Sequence, residues 1–401
     1  MPCENVVARL LLKSGKAKVV HRTPFTIKLT EFGSTCTQQI THGLDTGSGT
    51  IGSSAVDDGN NVVYMSEIEV RNDIADSMKT RAKYRRNRRN RKTRYRKARW
   101  LHRGNSIKKG RFSPTMTSKL NAHIREVAFV KSILPVTRLV VETSTFDPHA
   151  LKNPEVLNNK WLYQKGINYG YANTKAYVLT RDGYVCKHCN GKNKDRRLEV
   201  HHIIYRCDNG SDEPENLITL CKTCHDNQHA NSIKLSGGKK KGQLKHATQM
   251  NSIRVQLLKR LACEETFGYI TKEHRQLHDL PKEHYIDAIM AATDGAPVVF
   301  KTRDVIYKKC VPDGDYQQSK GACSDQPITT GKICGFRKFD KIKYNGREYF
   351  IKGRMSTGYA ILMDIHVKKV DLKPIPKFCK MERIGARKSW IMQRVTIQNI
   401  V

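Results

Sequence analysis

The chain has 401 residues, of which 73 are Lys or Arg and 37 are Asp or Glu, so its formal net charge is +36. At about 150 residues per domain, this length predicts two or three domains. Such a positive charge indicates a polyanionic partner, above all nucleic acid, and argues against a metabolic enzyme with a near-neutral surface. An anionic lipid surface is the alternative, but the most basic segment lacks the apolar helix face that membrane binding requires.

The sequence contains no segment typical of membrane insertion or secretion. No run of about 18 apolar residues occurs, so no transmembrane helix is expected. The apolar stretch from Val6 to Leu10 is too short for a secretory signal, which favours an intracellular protein. The 12 cysteines of this long chain therefore favour metal binding over disulfides.

The first 70 residues predict a short helical turn followed by strands. The turn lies near Val6, and alternating apolar residues from Phe25 to Leu29 indicate a short strand. Three clearer strands follow, and the turn Asp58-Gly59-Asn60-Asn61 joins the last two as a hairpin. These strands run from Ile40 to Leu44, from Ile51 to Asp57 and from Val62 to Val70.

Residues 79–111 form a strongly basic segment with 17 Lys or Arg and no Asp or Glu. The absence of Gly and Pro before Gly104 predicts a helix that is basic on every face. Like charges four residues apart destabilise such a helix, so a disordered segment is the alternative. Its position between folded stretches favours a helix held between other elements and phosphates.

The rest of the chain predicts helices and strands around a Cys/His-rich region. An amphipathic helix is expected over 117–134, and a buried strand over 138–142. A Gly/Lys linker at 237–241 follows the Cys/His region, and helices are expected over 250–262 and 283–292. From about 301 to 401, hydrophobic runs broken every 8–12 residues suggest a small barrel or sandwich.

Two CxxC pairs predict a structural metal site. Cys186 and Cys189 form the first pair, and Cys221 and Cys224 form the second, with 31 residues between them. Four thiolates in two such knuckles make a closed tetrahedral zinc site, which is structural and not catalytic. A disulfide or a coincidental grouping is the alternative.

Histidines and an asparagine lie between and beside these cysteine pairs. The order of a CxxC pair, His201-His202, Asn216 and CxxC-His225 resembles the HNH (His-Me finger) nuclease domain. The resemblance implies that His202 is the general base for phosphodiester hydrolysis and that His201 and His225 bind a divalent ion. It also implies that Asn216 braces the ββα loop, and His229 is a weaker candidate ligand. The alternative is a zinc-only binding finger with incidental histidines.

Acidic residues from three other segments predict a second metal site. Asp45 ends a strand before a Gly-rich turn, Glu142 ends another, and His284 and Asp287 share one helix face. Carboxylates from separate segments can converge on two metal ions about 4 Å apart, the arrangement used in phosphate hydrolysis. Taken alone, the Asp and Gly-rich turn would also suit a sugar kinase, an actin-like ATPase or an ordinary turn, and the His/Asp pair a solvated helix face.

This set and order of residues resembles a RuvC nuclease of the RNase H fold. The resemblance implies that Asp45, Glu142 and Asp287 bind divalent ions, Mg²⁺ or Mn²⁺, and that His284 binds metal or activates water. The Arg-rich segment lies between the first and second pieces of this core, and the HNH region between the second and third.

The whole arrangement resembles IscB, a family of transposon-encoded RNA-guided nucleases. The resemblance implies α/β and α+β folds in several domains: a split RuvC core, an inserted ββα-metal HNH domain with structural zinc, and a small β-rich C-terminal domain. The expected boundaries are 1–32 for an N-terminal PLMP-like domain, 33–72, 112–160 and 250–300 for the RuvC pieces, 73–111 for the bridge helix, 161–249 for the HNH domain and 301–401 for the β-rich domain.

The N-terminus departs from the family pattern. The chain begins with Met1-Pro2, at the end of the motif that names the PLMP domain. The family's leading strand is therefore expected to be missing, either because the gene start is placed too late or because this member is short. The compact C-terminal region is expected to read a short duplex motif beside the target.

The resemblance implies a monomeric ribonucleoprotein of the prokaryotic cytoplasm, associated with the nucleoid, that cuts double-stranded DNA under the direction of a guide RNA. The HNH site would cut the guide-paired strand and the RuvC site the displaced strand. An unguided HNH endonuclease and a non-catalytic zinc-containing nucleic-acid-binding protein are the alternatives. Arginine forks match phosphate geometry, so the expected phosphate contacts are Arg85, Arg86, Arg88, Arg89, Arg91, Lys92, Arg94 and Arg96.

Overall fold

The computed structural model describes residues 3–30, 38–92, 112–239, 244–312, 316–318, 325–327 and 332–397. The chain divides into two compact units. The first, here called the sheet unit, comprises Met1–Ser144 and Ser252–Val401. The second, the inserted unit, comprises Thr145–Asn251 and begins earlier in the sequence than the HNH boundary expected at residue 161. Arg94 and Arg96, two of the expected phosphate contacts, lie outside the described residues.

The described helices, numbered in chain order, lie in both units. They are α1 (Asn5–Lys13), α2 (Ile74–Lys92), α3 (Pro114–Ile133), α4 (Pro148–Lys152), α5 (Thr174–Arg181), α6 (Lys222–His229), α7 (Lys245–Arg260), α8 (Gly268–Leu277) and α9 (His284–Thr293). Among the described residues, none of these helices is both long enough and apolar enough to cross a membrane.

The described strands form several sheets. They are β1 (Ala17–Arg22), β2 (Phe25–Leu29), β3 (Ile40–Asp45), β4 (Thr50–Asp57), β5 (Asn61–Glu69), β6 (Val136–Thr143), β7 (Leu198–His202), β8 (Leu217–Cys221), β9 (Glu264–Phe267), β10 (Val299–Phe300), β11 (Asp304–Cys310), β12 (Tyr316–Gln318), β13 (Asp325–Pro327), β14 (Lys341–Tyr344), β15 (Arg347–Arg354), β16 (Ala360–Met363), β17 (Lys369–Val370), β18 (Glu382–Gly385) and β19 (Trp390–Thr396).

An eight-stranded mixed sheet forms the centre of the sheet unit. Its strand order is β19-β11-β5-β4-β3-β6-β9, and β10 also pairs with β5. Strands β3, β4 and β5 form an antiparallel meander, whereas β6 runs parallel to β3 and β9 runs parallel to β6. The register of β3 with β6 sets Asp45 directly beside Glu142.

Helices cover both faces of this sheet. On one face, Val127 and Val130 of α3 pack with Leu44 and Val141 of the central strands. On the other face, the apolar side of α9 packs with residues such as Met65. Helix α3 begins at Pro114, directly after the capping residue Ser113. Ser113 Oγ accepts a hydrogen bond from the amide of Met116, and proline is favoured in the first turn of a helix.

A charged pair lies inside the α3 core of the sheet unit. Lys308 Nζ of β11 donates to Glu126 Oε2 of α3 over 2.6 Å, and both side chains are completely buried. Lys308 also donates to the hydroxyl of Tyr64, and Glu126 Oε1 accepts from Tyr64 and Ser66. Each charge therefore has the partners that a buried ion requires.

The C-terminal region differs from the separate barrel or sandwich suggested by its sequence. Its strands β11 and β19 pair with each other and extend the large sheet, where β11 runs parallel to β5. Strands β14 to β18 form a five-stranded sheet of order β17-β16-β15-β14-β18. Ile342, Ile351 and Leu362 lie in the small core of that sheet. The physical reason is that the apolar residues of β11, such as Val305 and Ile306, are buried in the cores of the large sheet.

The remaining sheets are small. Strands β1 and β2 form an antiparallel hairpin after α1, and β12 pairs with β13. In the inserted unit, β7 pairs antiparallel with β8, and α6 follows β8 directly, which produces a ββα arrangement. The described part of the basic segment, residues 79–92, is helical, and the backbones of Arg85, Arg86, Arg88, Arg89, Arg91 and Lys92 lie in α2.

Candidate functional site

The predicted acidic residues of the sheet unit meet at one end of the central strands. His284 Nδ1, at the first residue of α9, lies 2.6 Å from Asp45 Oδ2 at the last residue of β3. Glu142 lies beside Asp45 in the neighbouring strand. Asp287 follows one helical turn after His284. We call these four residues the sheet site.

Two glycines bring α9 onto the sheet at this point. A Cβ atom at Gly52 would collide with the backbone carbonyl of His284, and one at Gly43 with the backbone carbonyl of Ala288. The strands therefore accept the helix backbone only where they have no side chain. Gly43 and Gly52, which lie in the Gly-rich sequence around Asp45, thus permit the close approach of a helix.

The carboxyl groups of the sheet site are crowded. Burial, with the nearby charges of Asp45 and Asp287, raises the pKa of Glu142 to about 8. Burial and the Asp45 charge also raise the pKa of Asp287, although Arg275 Nε donates to Asp287 Oδ1 over 2.8 Å and opposes the shift. The hydrogen bond to Asp45 raises the pKa of His284. The raised pKa values of Glu142 and Asp287 thus result from burial and from repulsion between neighbouring carboxylates, an arrangement that a bound cation would relieve.

The residues of the sheet site fit a divalent cation. Glu142 Oε2 is buried and has no hydrogen-bond partner among the described residues. An unpaired carboxylate oxygen beside two other acids is the donor set that Mg²⁺ or Mn²⁺ prefers. The structure thus brings together all four residues that the sequence singled out.

Sequence reasoning missed two charged neighbours of this site. Arg275 of α8 contacts Asp287, and no motif in the sequence marks it. Glu67 of β5 pairs with Gly52 of β4, which in turn pairs with Asp45, so the three lie in one row across the sheet. Burial raises the pKa of Glu67, whereas the His284 charge lowers it. The period-2 pattern of β5 could have placed Glu67 on the face of Asp45 once the register was known.

A second cluster of titratable residues lies in the ββα part of the inserted unit. His201 in β7 and His225 and His229 in α6 offer ligand nitrogens that lie within 4.8 Å of one another. His201 Nε2 is buried and has no hydrogen-bond partner among the described residues, whereas His225 Nδ1 lies 3.4 Å from Glu199 Oε2 and 3.5 Å from Asp226 Oδ1. Burial, with the neighbouring His225 and His229, lowers the pKa of His201 to about 4 and keeps its ring neutral. Three imidazole side chains whose ring nitrogens converge in this way fit a divalent metal ion.

The sequence predicted His229 only as a weaker candidate ligand, whereas the structure groups it with His201 and His225. It lies one helical turn after His225, and its ring centroid is 4.6 Å from that of His225. A spacing of four residues on a predicted helix is the signal that could have ranked it with the other two. We call His201, His202, His225 and His229 the ββα site.

His202 has a different environment from the other three histidines. Its Nε2 lies 2.9 Å from Asp212 Oδ1, and its side chain is partly exposed. A carboxylate partner at Nε2 selects the tautomer that leaves Nδ1 free to accept a proton.

Asn216 holds the loop that follows β7. Its side-chain amide donates to the backbone oxygens of Ile204 and Ser211 over 2.9 Å and 2.8 Å. Its Oδ1 accepts from the amides of Ile204 and Lys239. Asn216 is fully buried, so these four bonds satisfy its entire side-chain amide and brace the loop.

The four predicted cysteines converge beside the ββα strands. Their sulfur atoms all lie within 4.8 Å of one another, and all four are free thiols and not disulfides. Cys189 Sγ and Cys221 Sγ are 3.8 Å apart. Two thiolates that each lie about 2.3 Å from a tetrahedral zinc ion are separated by about this distance. The hydrogen bond from the Asn193 amide lowers the pKa of Cys189 to about 7, whereas burial raises the pKa of Cys221 and of Cys224.

Comparison with protein families finds two matches. Residues 1–166 match the family described as RRXRR protein, and residues 186–231 match the family described as HNH endonuclease. The HNH match contains all four cysteines and the ββα site, so the inserted unit contains an HNH nuclease domain. No curated protein matches the chain.

Two solved structures show a weak similarity. One is the Streptococcus thermophilus Cas9 in complex with the AGAA PAM, with 13% identity, 60% of this chain and 32% of that chain covered, and a TM-score of 0.33. The other is the Type II-C Cas9 enzyme from Actinomyces naeslundii, with 16% identity, 49% and 23% covered, and a TM-score of 0.18. The chain therefore spans about a third of the first protein and less than a quarter of the second.

The two family matches together cover about half of the chain. The HNH domain lies in the unit that interrupts the sheet unit. The RRXRR match and the HNH domain inserted after it support an IscB- and Cas9-like nuclease.

Proposed function

We propose that this protein is an RNA-guided DNA endonuclease that cuts both strands of its target at two separate metal-dependent sites. The observation that carries the proposal is the presence of one complete hydrolytic constellation in each unit. The sheet site pairs carboxylates with a histidine, and the ββα site pairs three potential metal-binding histidines with a fourth that has a carboxylate partner.

The sheet unit is proposed to be a RuvC nuclease core. The strand order β5-β4-β3-β6-β9, with β4 antiparallel to its neighbours, supports this assignment because it is the arrangement of the RNase H fold. Asp45, Glu142 and Asp287 would hold divalent ions, which supply charge neutralisation at the phosphate and activation of water. Hydrolysis at this site would cut the displaced DNA strand.

His284 is proposed to transfer a proton in the sheet site. Asp45 accepts a hydrogen bond from Nδ1 and so orients the ring, which leaves Nε2 as the atom that exchanges a proton with the attacking water. Arg275 Nε donates a hydrogen bond to Asp287 Oδ1 over 2.8 Å and restrains that carboxylate. Both contacts position side chains before any substrate arrives.

In the ββα site, His202 is proposed to be the general base. Asp212 accepts from Nε2 and leaves Nδ1 to take a proton from water. His201, His225 and His229 would hold one divalent metal ion, which would supply polarisation of the scissile phosphate. The Cys₄ group would hold zinc as a structural ion beside this site. This site would cut the strand that is paired with the guide.

Helix α2 is proposed to bind the phosphates of the guide and its heteroduplex. The helix follows β5 in the sequence and precedes α3, and the described side chains of Arg85 and Arg86 are exposed. Exposed guanidinium groups that have no apolar core beneath them gain most of their interaction energy from phosphates. The proposed partners are therefore a guide RNA and double-stranded target DNA, bound to a monomeric protein.

Sequencing of co-purified RNA tests the proposal that a guide RNA directs the nuclease. The protein is purified from cells that carry its native flanking DNA, alongside a variant with Arg85→Gln and Arg86→Gln. We expect one discrete structured RNA with the parent protein and a reduced yield of it with the variant. Active DNA cleavage without any discrete RNA would contradict guidance and favour an unguided HNH endonuclease. Absence of both cleavage and RNA would favour a non-catalytic nucleic-acid-binding protein.

A further inference from the structure

An aromatic and basic segment of the inserted unit has no part in either site. Residues 156–181 contain four Lys or Arg and no Asp or Glu, with Glu155 directly before them and Asp182, which pairs with Arg181, directly after them. The same segment contains five aromatic residues, which are Trp161, Tyr163, Tyr169, Tyr171 and Tyr177. Basic residues interleaved with aromatic ones are typical of surfaces that bind single-stranded nucleic acid.

Two of these rings are unusually exposed. Trp161 is 56% exposed and Tyr169 is 61% exposed, whereas Trp390 in the sheet core is 5% exposed. Exposed tryptophan leaves a large apolar ring in water, and clustered exposed aromatic residues mark a binding surface.

A lysine links the two exposed rings. Lys165 Nζ lies 3.0 Å from the ring centroid of Trp161 and 4.4 Å from that of Tyr169. The ammonium group is attracted to the negative face of each ring, so both rings remain close to Lys165 Nζ. We call Trp161, Lys165 and Tyr169 the aromatic platform.

A chain of contacts ties the platform to the ββα site within the same unit. Trp161 lies in the 3₁₀ turn Lys160–Gln164, where the hydroxyl of Tyr163 donates to Asp147. Asp147 caps α4, and Lys152 at the end of α4 lies 2.6 Å from Glu213. Glu213 directly follows Asp212, the partner of His202.

We propose that the aromatic platform binds a single-stranded nucleic acid, with unpaired bases stacked on Trp161 and Tyr169 and a phosphate beside Lys165. The inference rests on the proposed function, because it assumes that the inserted unit acts on a nucleic acid. Charge favours this occupant over a protein segment, since a basic platform on a chain of net charge +36 attracts phosphates. Stacking accepts every base, so the platform would hold a strand without reading its sequence.

Photocrosslinking of the full-length protein tests the proposal without guide RNA or catalysis. Single-stranded oligonucleotides that contain 5-iodouracil are irradiated with the protein, and the crosslinked peptides are identified by mass spectrometry. We expect crosslinks at Trp161 or Tyr169 in the parent protein and their loss in the Trp161→Ala, Tyr169→Ala double variant. One arm uses a DNA oligonucleotide and the other an RNA oligonucleotide, which distinguishes the two sources of unpaired bases.

The matched control is Tyr184→Ala, which removes an equally exposed tyrosine outside the platform. It should leave the platform crosslinks unchanged. Crosslinks elsewhere on the protein without any in the peptide around Trp161 would overturn the inference and favour a protein-docking surface. This result would leave guided cleavage intact, so failure of the platform and failure of the proposed function are distinguishable.

Salt dependence separates stacking from charge. For a short oligonucleotide, Trp161→Ala should weaken crosslinking at Tyr169 about tenfold at every salt concentration. Lys165→Gln should instead weaken the salt dependence of crosslinking at this peptide. The slope of log affinity against log salt concentration should fall by about one, the value expected for the loss of one phosphate contact. Equal crosslinking yields for both variants and the parent across the salt range would also overturn the inference.

Discussion

His284 Nδ1 lies 2.6 Å from Asp45 Oδ2, although 239 positions separate the two residues in the sequence. The contact joins the first residue of α9 to the last residue of β3. It depends on Gly52, whose missing side chain leaves room for the backbone of His284. One short hydrogen bond therefore reports on the correct assembly of strands and a helix that are encoded on both sides of the inserted unit.

Inactivation of one site at a time should produce strand-specific nickases. Asp45→Ala should abolish cleavage of the displaced strand and His202→Ala cleavage of the guide-paired strand, each with a loss of at least about 100-fold. The physical reason is that the two sites use separate side chains in separate units. Strand-labelled target DNA, incubated with the protein and its guide, measures both cuts.

The matched control for these variants is Asp58→Ala, which removes an acid from the turn between β4 and β5, outside both sites. It should leave both cuts unchanged. Loss of both cuts in either single-site variant, with unchanged zinc content and unfolding midpoint, would contradict the two-site model.

Glycine substitution beneath α9 should displace the helix from the sheet. Gly43→Ala or Gly52→Ala places a methyl group against a backbone carbonyl of α9, at a cost of about 1–3 kcal/mol in the free energy of unfolding. Cleavage by the sheet site should fall with it, because His284 and Asp287 move away from Asp45. Gly49→Ala is the control, since its Cβ would meet open space. Urea unfolding measures the loss of stability, and strand-labelled DNA measures cleavage by the sheet site. If Gly52→Ala and Gly49→Ala had the same stability and the same cleavage rate, displacement of α9 would be contradicted.

The cysteine cluster should bind about one zinc ion per chain. Cys186→Ser combined with Cys221→Ser should remove the zinc and unfold the ββα part, because a small zinc domain gains much of its stability from the ion. Cys207→Ser, which changes an exposed thiol, should retain it. Metal analysis of the purified proteins measures the content, and full zinc occupancy in the double variant would show that another group binds it.

The buried pair of Glu126 and Lys308 should tolerate joint replacement better than single replacement. Lys308→Met leaves a buried carboxylate without its cation, at a cost of about 3–5 kcal/mol. Glu126→Leu combined with Lys308→Met removes both charges and should recover most of that loss. Urea unfolding of the two variants and the parent measures the difference. Equal stability of the single and double variants would show that the uncompensated charge is not the cause.

Acid should weaken the sheet unit through His42. Burial lowers the pKa of this histidine to about 4 from an ordinary value of 6.5, with its Nε2 2.8 Å from Ser53 Oγ. The unfolded chain therefore binds a proton more readily than the folded chain as the pH falls. The contribution to stability is complete above pH 6.5 and is lost as the pH falls towards 4.

His42→Asn should flatten this pH dependence, because the asparagine side chain does not titrate. Hydrogen exchange of the β3 and β4 amides between pH 7.5 and 5 measures the local stability after correction for intrinsic exchange rates. An equally steep pH dependence in the variant would assign the effect to other groups. The first candidate would be His123, which is also buried and whose pKa is also lowered to about 4.

The sequence predicted which residues come together at both sites more completely than it predicted what surrounds them. Residue types and spacing were sufficient for the four cysteines, the adjacent pair His201-His202, and the acids at strand ends. These signals are local, since a CxxC knuckle or a strand that ends in a carboxylate needs only neighbouring residues. The family matches support the HNH assignment, and the roles of the individual site residues remain predictions.

The sequence by itself determined that the chain is basic, that a nuclease-like unit with a Cys₄ group interrupts it, and which residues are candidates for its chemistry. Only the tertiary structure decided that Arg275 holds Asp287, that Glu67 shares a row with Asp45, that His229 joins His201, and that β11 and β19 belong to the large sheet. Each of these relationships depends on strand register or on a helix seated on the sheet, and long-range packing of apolar residues sets both.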